Sequence, residues 1–512
     1  MLLPQLQALL TGTKNEANPR ELTLEKRYAY AHGAAIDADL KYYRGLMPLD
    51  EDKAKFLKVV RTGDKIGPAI DRFVAGVLAL DPEWTIKRSD SDVTSDLLGT
   101  PLEVEASPED KQLAGELNAL EDTLTVWDKS VRLHQKMREL YRISLWAEKG
   151  YPRLYIPDSE KDNPKVQGRS FETIEEALTV VYLNILDPRV AGRVESEHGD
   201  TLGYFYHYAD EDGKSDLIEL HTPTQIKTVR FSAGKIEEEL EGDAVSPPNP
   251  LYREGERPDY LMATLEHPTG GVLDESIIDE QDSLNESKVE MRRNGYMGGH
   301  RQYITVNAAD PVDAAGNATL YKFGPSVVAN IQGVDIWSKD INGNDVIVGK
   351  TTPQVIVVEP VDPDNFIKAI HHHTQEILQK VSQAHFEGTF LAISGESKRE
   401  SKEAWLSTLE LDSGPVGEVY AHILRNALRL AYWLTGKEDN AFDVYEVVPS
   451  LNLNVSNSDI TTLMNASDLV SRGHMTLDRF VAISDLVKNK EAELATLNQV
   501  ETVPVEVEVL TP

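Results

Sequence analysis

A chain of 512 residues, 40% apolar and 27% charged, can bury several cores and has a globular composition, so more than one domain is expected. It holds no cysteine, which excludes disulfides, cysteine zinc sites and thiol catalysis and fits a reducing compartment. The net charge of −33, from 85 acidic and 52 basic residues, opposes a tight grip on nucleic acid, which neutralises phosphates with Lys and Arg; it fits solubility, adaptation to salt, or a surface that lets DNA pass.

No stretch of 18 apolar residues predicts a membrane span, and Met1-Leu-Leu-Pro4 lacks the basic start of a signal peptide. Residues 20 to 80 read as helical, with a buried-looking segment Asp71–Leu80 closed by Asp81-Pro82. Pro108 to Lys149 is the longest clean helical tract, ended by Gly150, and Tyr151–Ile156 reads as a strand. From Val180 the apolar period falls to two, giving strands at 180–185, 203–208, 216–221 and 226–231, with a hairpin turn at Ala209–Gly213. Glu237 to Arg257, acidic and holding Pro247-Pro-Asn-Pro250, reads as a loop, and strand-like material follows near Tyr260.

Leu273 to Asn294 is a long helix candidate: Ile277, Leu284 and Met291 fall seven apart, and Gly295, Gly298 and Gly299 end it. A β-rich insertion follows, with strands at 302–306, 320–323, 326–330, 346–348 and 354–358. Asp362-Pro363 caps the next helix. Its stripe of Phe366, Ile370, Ile377, Val381 and Ala384 predicts roughly 23 residues, about 35 Å. Two long helices thus flank a small β module, and antiparallel packing puts that module at their far end. Residues 386–401 read as a mobile loop. Helix signals resume at Lys402, break at Ser413-Gly414-Pro415 and stop at Gly436, predicting a kinked helix. Beyond it, 460–470, 476–488 and more weakly 491–499 read as helical, and Val503, Val505, Val507 and Val509 alternate as an edge strand or a pairing tail.

Motifs for chemistry are missing. Gly343-Asn-Asp-Val-Ile-Val-Gly349-Lys350-Thr351 has five residues between its glycines where a phosphate loop needs four, and Thr352-Pro353 stands where a helix should start. His371, His372 and His373 are adjacent on a helix, about 100° apart, and do not converge on one ion. No catalytic residue, metal site or cofactor is therefore assigned. The basic cluster Lys398, Arg399 and Lys402, interleaved with Glu396 and Glu400, reads locally as a solvated helix start that Ser397 or Ser401 caps. Its functional alternative is a polar loop touching a nucleic-acid backbone.

Taken in order, six stretches resemble the portal proteins of tailed bacteriophages. Asp71–Ile86 resembles the start of the wing, and the run from Leu117 to Phe231 its helix-then-strands body. Leu273–Asn285 and Pro363–Ile370 resemble the two stem helices, Phe390–Ser397 the tunnel loop, and Arg472–Phe480 the late helical turn of the crown. The likeness spans roughly 60 to 490 and leaves out residues 1–50 and the valine-alternating tail.

The resemblance implies an α+β chain divided into a wing (1–272, β-rich over about 151–265), a first stem helix (273–296), a clip (297–361), a second stem helix (362–385), a tunnel loop (386–401), a kinked wing helix (402–437), and a helical crown with its tail (438–512). It implies a homo-oligomeric ring, usually of twelve subunits, at a capsid vertex of the virion, with double-stranded DNA passing along its axis. Implied partners are the terminase large subunit, a head-completion or tail adaptor protein, and the major capsid and scaffold proteins. Ser394, Glu396, Ser397, Lys398, Arg399 and Lys402 would line the channel; Arg301, Tyr303, Tyr321, Lys322 and Trp337 would dock partners. The alternatives are a carboxylate-based, metal-dependent hydrolase or nuclease drawing on the acidic excess, and another structural component of a virion.

Overall fold

A computed structural model describes residues 23–33, 63–88, 108–196, 198–209, 216–232, 235–239, 247–252, 259–299, 302–311, 317, 319, 331–358, 361–386, 395–437, 445–451 and 453. The fold is α+β. Its long helices are α1 Leu24–Ala31, α2 Ile66–Val77, α3 Pro108–Val131, α4 Leu133–Ala147, α5 Glu275–Gly299, α6 Pro363–Lys380 and α7 Gly395–Leu434. Its strands are β1 Glu83–Arg88, β2 Lys149–Tyr155, β3 Tyr182–Leu186, β4 Ala191–Glu195, β5 Thr201–Ala209, β6 Asp216–His221, β7 Ile226–Ser232, β8 Lys235–Glu239, β9 Leu265–Glu266, β10 Gln302–Val306, β11 Asp335–Lys339, β12 Asp345–Lys350, β13 Gln354–Val358 and β14 Tyr445–Ser450. The chain divides into two units, 1–35 with 66–277 and 378–512, and 36–65 with 278–377.

In the first unit, α2 buries Ile66, Ile70, Phe73, Val74 and Val77, a helical stripe at spacings of three and four. The long tract after Pro108 is two helices, because Arg132 turns left-handed at φ 56°. Strands β4 to β8 form an antiparallel meander in sequence order around Val194, Phe205, Ile218, Leu220, Val229 and Phe231. Strands β3, β2 and β9 form a second sheet, and β1 pairs with the distant β14. The hairpin between 201–209 and 216–221 is present as expected; the expected loop from Glu237 begins instead inside β8, which pairs with β7.

Helix α7 buries Trp405, Leu409, Tyr420, Ile423, Leu424, Leu428 and Leu434. It ends at Leu434, and Gly436 two residues on takes a φ of 66°, which suits a residue without Cβ. Pro415 lies inside one continuous helix, so no break separates 402–412 from 416–434. Polar groups anchor α7 to the rest of this unit. Arg429 and Arg425 reach Asp259 at 2.7 and 3.4 Å, and Asn426 donates to the Asp259 carboxylate and the Tyr260 carbonyl, both at 3.2 Å. Burial alone would raise the Asp259 carboxyl, but His422, Arg425, the Tyr260 amide and Arg429 outweigh it and hold it below the usual range. The Tyr141 hydroxyl donates to Asp412 at 2.5 Å, and His267 Nε2 lies 3.3 Å from the other Asp412 oxygen. Burial and Asp412 together push that phenol well above its ordinary range.

The second stem helix stops earlier than its apolar stripe predicts. Helix α6 ends at Lys380, Ser382 turns left-handed at φ 56°, and the Gln383 amide closes back on the Leu378 carbonyl at 2.7 Å. Gln383 is wholly buried, donating to the Ala69 carbonyl at 2.9 Å and accepting from Arg72 at 3.0 Å. That fixed amide, rather than a loss of periodicity, ends the helix. Residues 384–386 form a short 3₁₀ turn. The expected strands at 320–323 and 326–330 and the expected helices and valine strand beyond 460 lie outside the described residues.

Candidate assembly surface

The second unit contains most of two helices joined at one end by a β module. Near that end the Asn294 side chain donates to the Val361 carbonyl at 2.6 Å and accepts from its amide at 2.8 Å. Farther along, His373 Nδ1 lies 2.8 Å from Glu280. These pairings, 294 with 361 and 280 with 373, make α5 and α6 antiparallel. The first stem helix, expected over 273–296, runs from Glu275 to Gly299. Asn294 was legible only as the last residue before the glycines; its role as a two-sided clasp gives no sequence signal.

Among the described residues the β module comprises two antiparallel ribbons, β10 with β13 and β11 with β12. Strand β11 was not expected. The tip joining β11 and β12 is built by Asp340, whose carboxylate accepts from the amides of Asn342 and Asn344 at 2.8 and 2.9 Å. Those amides hold this carboxyl below its usual range. Gly343 supplies the left-handed residue, φ 81°, and Ile341 stands fully exposed at the tip.

Successive strand residues point to opposite faces. Yet Val346, Ile347 and Val348 are all exposed, as are Val355, Ile356 and Val357. Both faces of both ribbons are therefore apolar and open. More than half of the large apolar side chains exposed among the described residues lie between Ile304 and Val361. The cross-strand pairs Ile304–Ile356 and Trp337–Ile347 are from 46% to 60% exposed. A two-stranded ribbon is marginal in water, and an apolar area of this kind marks a contact surface.

Of the docking candidates, Trp337 is on this surface, at the β-bulge of β11, 60% exposed. It borders a cleft of about 420 Å³ with Asp310, Gln332, Asp335 and Lys350, the last two paired at 3.3 Å. Tyr303 lies on β10 opposite Val357. Arg301, Tyr321 and Lys322 lie outside the described residues, as does the channel candidate Ser394.

Glu396, Ser397, Lys398, Arg399 and Lys402 require a correction: the expected loop 386–401 is helical from Gly395 onward, in the first turns of α7. The run from Glu396 to Glu403 has no apolar stripe but is rich in good helix formers, with Arg399 and Glu403 four apart. Adding such turns to an already packed helix costs little, because nucleation is the expensive step. A helix start rather than a loop is thus the local reading that fits from Gly395 onward. At the other end Phe386 is held 5.8 Å from Trp405 and under Arg72, 5.1 Å from its ring.

Among the described residues, no set of three His, Asp or Glu side chains gathers to hold a metal ion, and no helix is long and apolar enough to cross a membrane. No protein-family model matches the chain, and no curated protein is significantly similar to it.

Proposed function

We propose that this chain is a portal-type subunit that closes into a ring, in the family's usual number twelve, at a capsid vertex of the virion, and passes double-stranded DNA along its axis. One observation carries the reading: an antiparallel helix pair bears a β module whose ribbons are apolar and open on both faces. A ring buries such a surface through heterologous contacts, one face of each subunit meeting a different face of the next. The order of wing, stem and clip resemblances supports it, and the acidic balance fits a channel that repels phosphate.

In this reading the clip receives the terminase large subunit during packaging and a head-completion or tail adaptor protein afterwards, while capsid and scaffold proteins meet the wing. The subunit is non-enzymatic, and ATP hydrolysis belongs to the separate motor. Electron micrographs of purified protein viewed down its symmetry axis test the proposal. Rings with an open axial pore are the expected result. A monomer at micromolar concentration under every salt condition overturns it.

A further inference from the structure

The cleft of about 420 Å³ beside Trp337 brings unevenly matched charges around one open space. Asp335 and Trp337, two apart on β11, share a face of the ribbon, and Lys350 stands across from Asp335. All three line the cleft, together with Asp310. The backbone keeps residues 308–310 beside the start of β11: Ala308 pairs with Gly333, and the Ala309 amide donates to the Gln332 carbonyl at 2.8 Å. Gly333 permits the close approach, because a Cβ there would lie 1.8 Å from the Thr351 carbonyl oxygen.

The cleft is thus lined by two carboxylates and one cation. Lys350 Nζ lies 3.3 Å from Asp335 Oδ1, and that oxygen is buried; the Asp335 side chain is 34% exposed, so its open part is the rest of the group. Asp310 is exposed and belongs to no ion pair among the described residues. With these carboxylates goes the Trp337 indole, 60% exposed. An open indole and open carboxylates around one space suit a planar guanidinium, which stacks on the ring and donates to the acids.

A body that covers Trp337 lies over the cleft it lines, and a carboxylate shut away without a counter-charge is costly. We infer that the cleft is a guanidinium site filled by an arginine side chain from a second copy of the chain. The chemistry stands on Asp310, Asp335 and Trp337; the source of the arginine rests on the ring reading, in which the neighbouring copy covers these ribbons. Copies of net charge −33 repel one another, so a contact that holds them has to match its acidic spots with cations locally.

The test uses the full chain. Dilute, unassembled protein with ¹⁵N-labelled tryptophan is titrated with N-acetyl-arginine amide and, separately, with its neutral isostere N-acetyl-citrulline amide. Of the six tryptophans, Trp337 is assigned as the indole N–H resonance missing from Trp337→Phe. Arginine amide is expected to shift that resonance saturably, the citrulline compound to leave it in place, and Asp310→Asn to weaken the arginine response several-fold. Assembly is followed by mass for wild type and Asp310→Lys, whose melting temperatures are compared first. Asp310→Lys is expected to melt like wild type, since Asp310 is exposed, and to assemble about ten-fold more weakly. If arginine amide leaves the Trp337 resonance unmoved, or the citrulline compound or Asp310→Asn responds as arginine does on wild type, the guanidinium site is refuted. If the site binds arginine but Asp310→Lys assembles as well as wild type or better, the second-copy source is refuted and the arginine belongs to another protein. A wild type that never assembles removes the ring and that source, while the resonance titration still decides the site.

Discussion

Replacing the two cross-strand pairs of the β module with threonine (Ile304, Ile356, Trp337 and Ile347 together) should uncouple assembly from folding. Threonine keeps the β-branching that strands favour and removes most of the apolar surface. Complete burial of such a side chain is worth about 1.5–3 kcal/mol. These four are 50%, 50%, 60% and 46% exposed in the single chain, so covering the rest yields about 1 kcal/mol each. The set contributes about 4 kcal/mol per subunit contact, roughly a thousand-fold in the association constant. Exposed positions usually cost the folded chain no more than about 0.5 kcal/mol each. Mass photometry across a concentration series reads the first quantity and circular dichroism melting the second. Assembly at wild-type concentrations would refute the reasoning, as would a variant that fails to fold, since the ribbons would then belong to the chain's own core.

Tyr141→Phe removes the hydroxyl that donates to buried Asp412 at 2.5 Å. A hydrogen bond to a carboxylate is worth about 1.5–3 kcal/mol, so the first unit, with its several hundred residues, should melt about 2–4 °C lower by calorimetry. Burial would raise the Glu219 carboxyl, but His221 at 2.6 Å and Arg153 outweigh it and bring it down to about 2. A carboxyl depressed in the folded state adds stability above its unfolded pKa, here about 4.5, and that stability is lost as pH falls from there toward 2. Glu219→Gln should therefore flatten the acid limb of a stability–pH curve measured by urea titration. Arg189 lies 3.9 Å from the Tyr28 ring and pairs with Asp187 at 2.6 Å and Glu25 at 3.2 Å. Arg189→Ala should speed amide exchange across α1 and leave the main melting transition in place.

Where one face of an element is buried, its pattern was legible. Ile218 and Leu220 of β6 and Val229 and Phe231 of β7 alternate because they enter one core, and α7 shows its stripe from Val419 to Leu434 because that stretch is packed. The misses share a different cause. Strands β1 and β14 are more than 350 residues apart, so nothing local announces their pairing. The turn at Arg132 has no glycine or proline to mark it, and tertiary packing alone imposes the left-handed residue. The end of α6 depends on where the Gln383 amide finds Arg72 and Ala69, which lie more than 300 residues away. The polar start of α7 was hidden because hydrophobic periodicity does not report a helix extended by propensity. At the candidate surface, the β-rich insertion and Trp337 were legible. The openness of both ribbon faces was not, since a run such as Val346-Ile-Val348 reads equally as a strand covered on both sides.

That ambiguity has a physical resolution with a measurable consequence. The polar clasps Asn294–Val361 and Glu280–His373 orient α5 against α6. The ribbon β11–β12 has two strands, and among the described residues its apolar side chains stay exposed on both faces. Such a ribbon opens readily by itself, and its closed form is favoured only when something covers it. In an assembled ring the covering is permanent, so the hairpin's local stability should rise by about 2 kcal/mol, the share of the contact energy above carried by Trp337 and Ile347. Lys339, at the end of β11 beside the turn, and Lys350, at the end of β12, offer tryptic sites. Dilute chain should be cut there early, and assembled protein should resist in proportion to the fraction assembled. Equal cutting in both states would mean that the module stays uncovered after assembly, and the surface that carries the functional proposal would have to lie elsewhere.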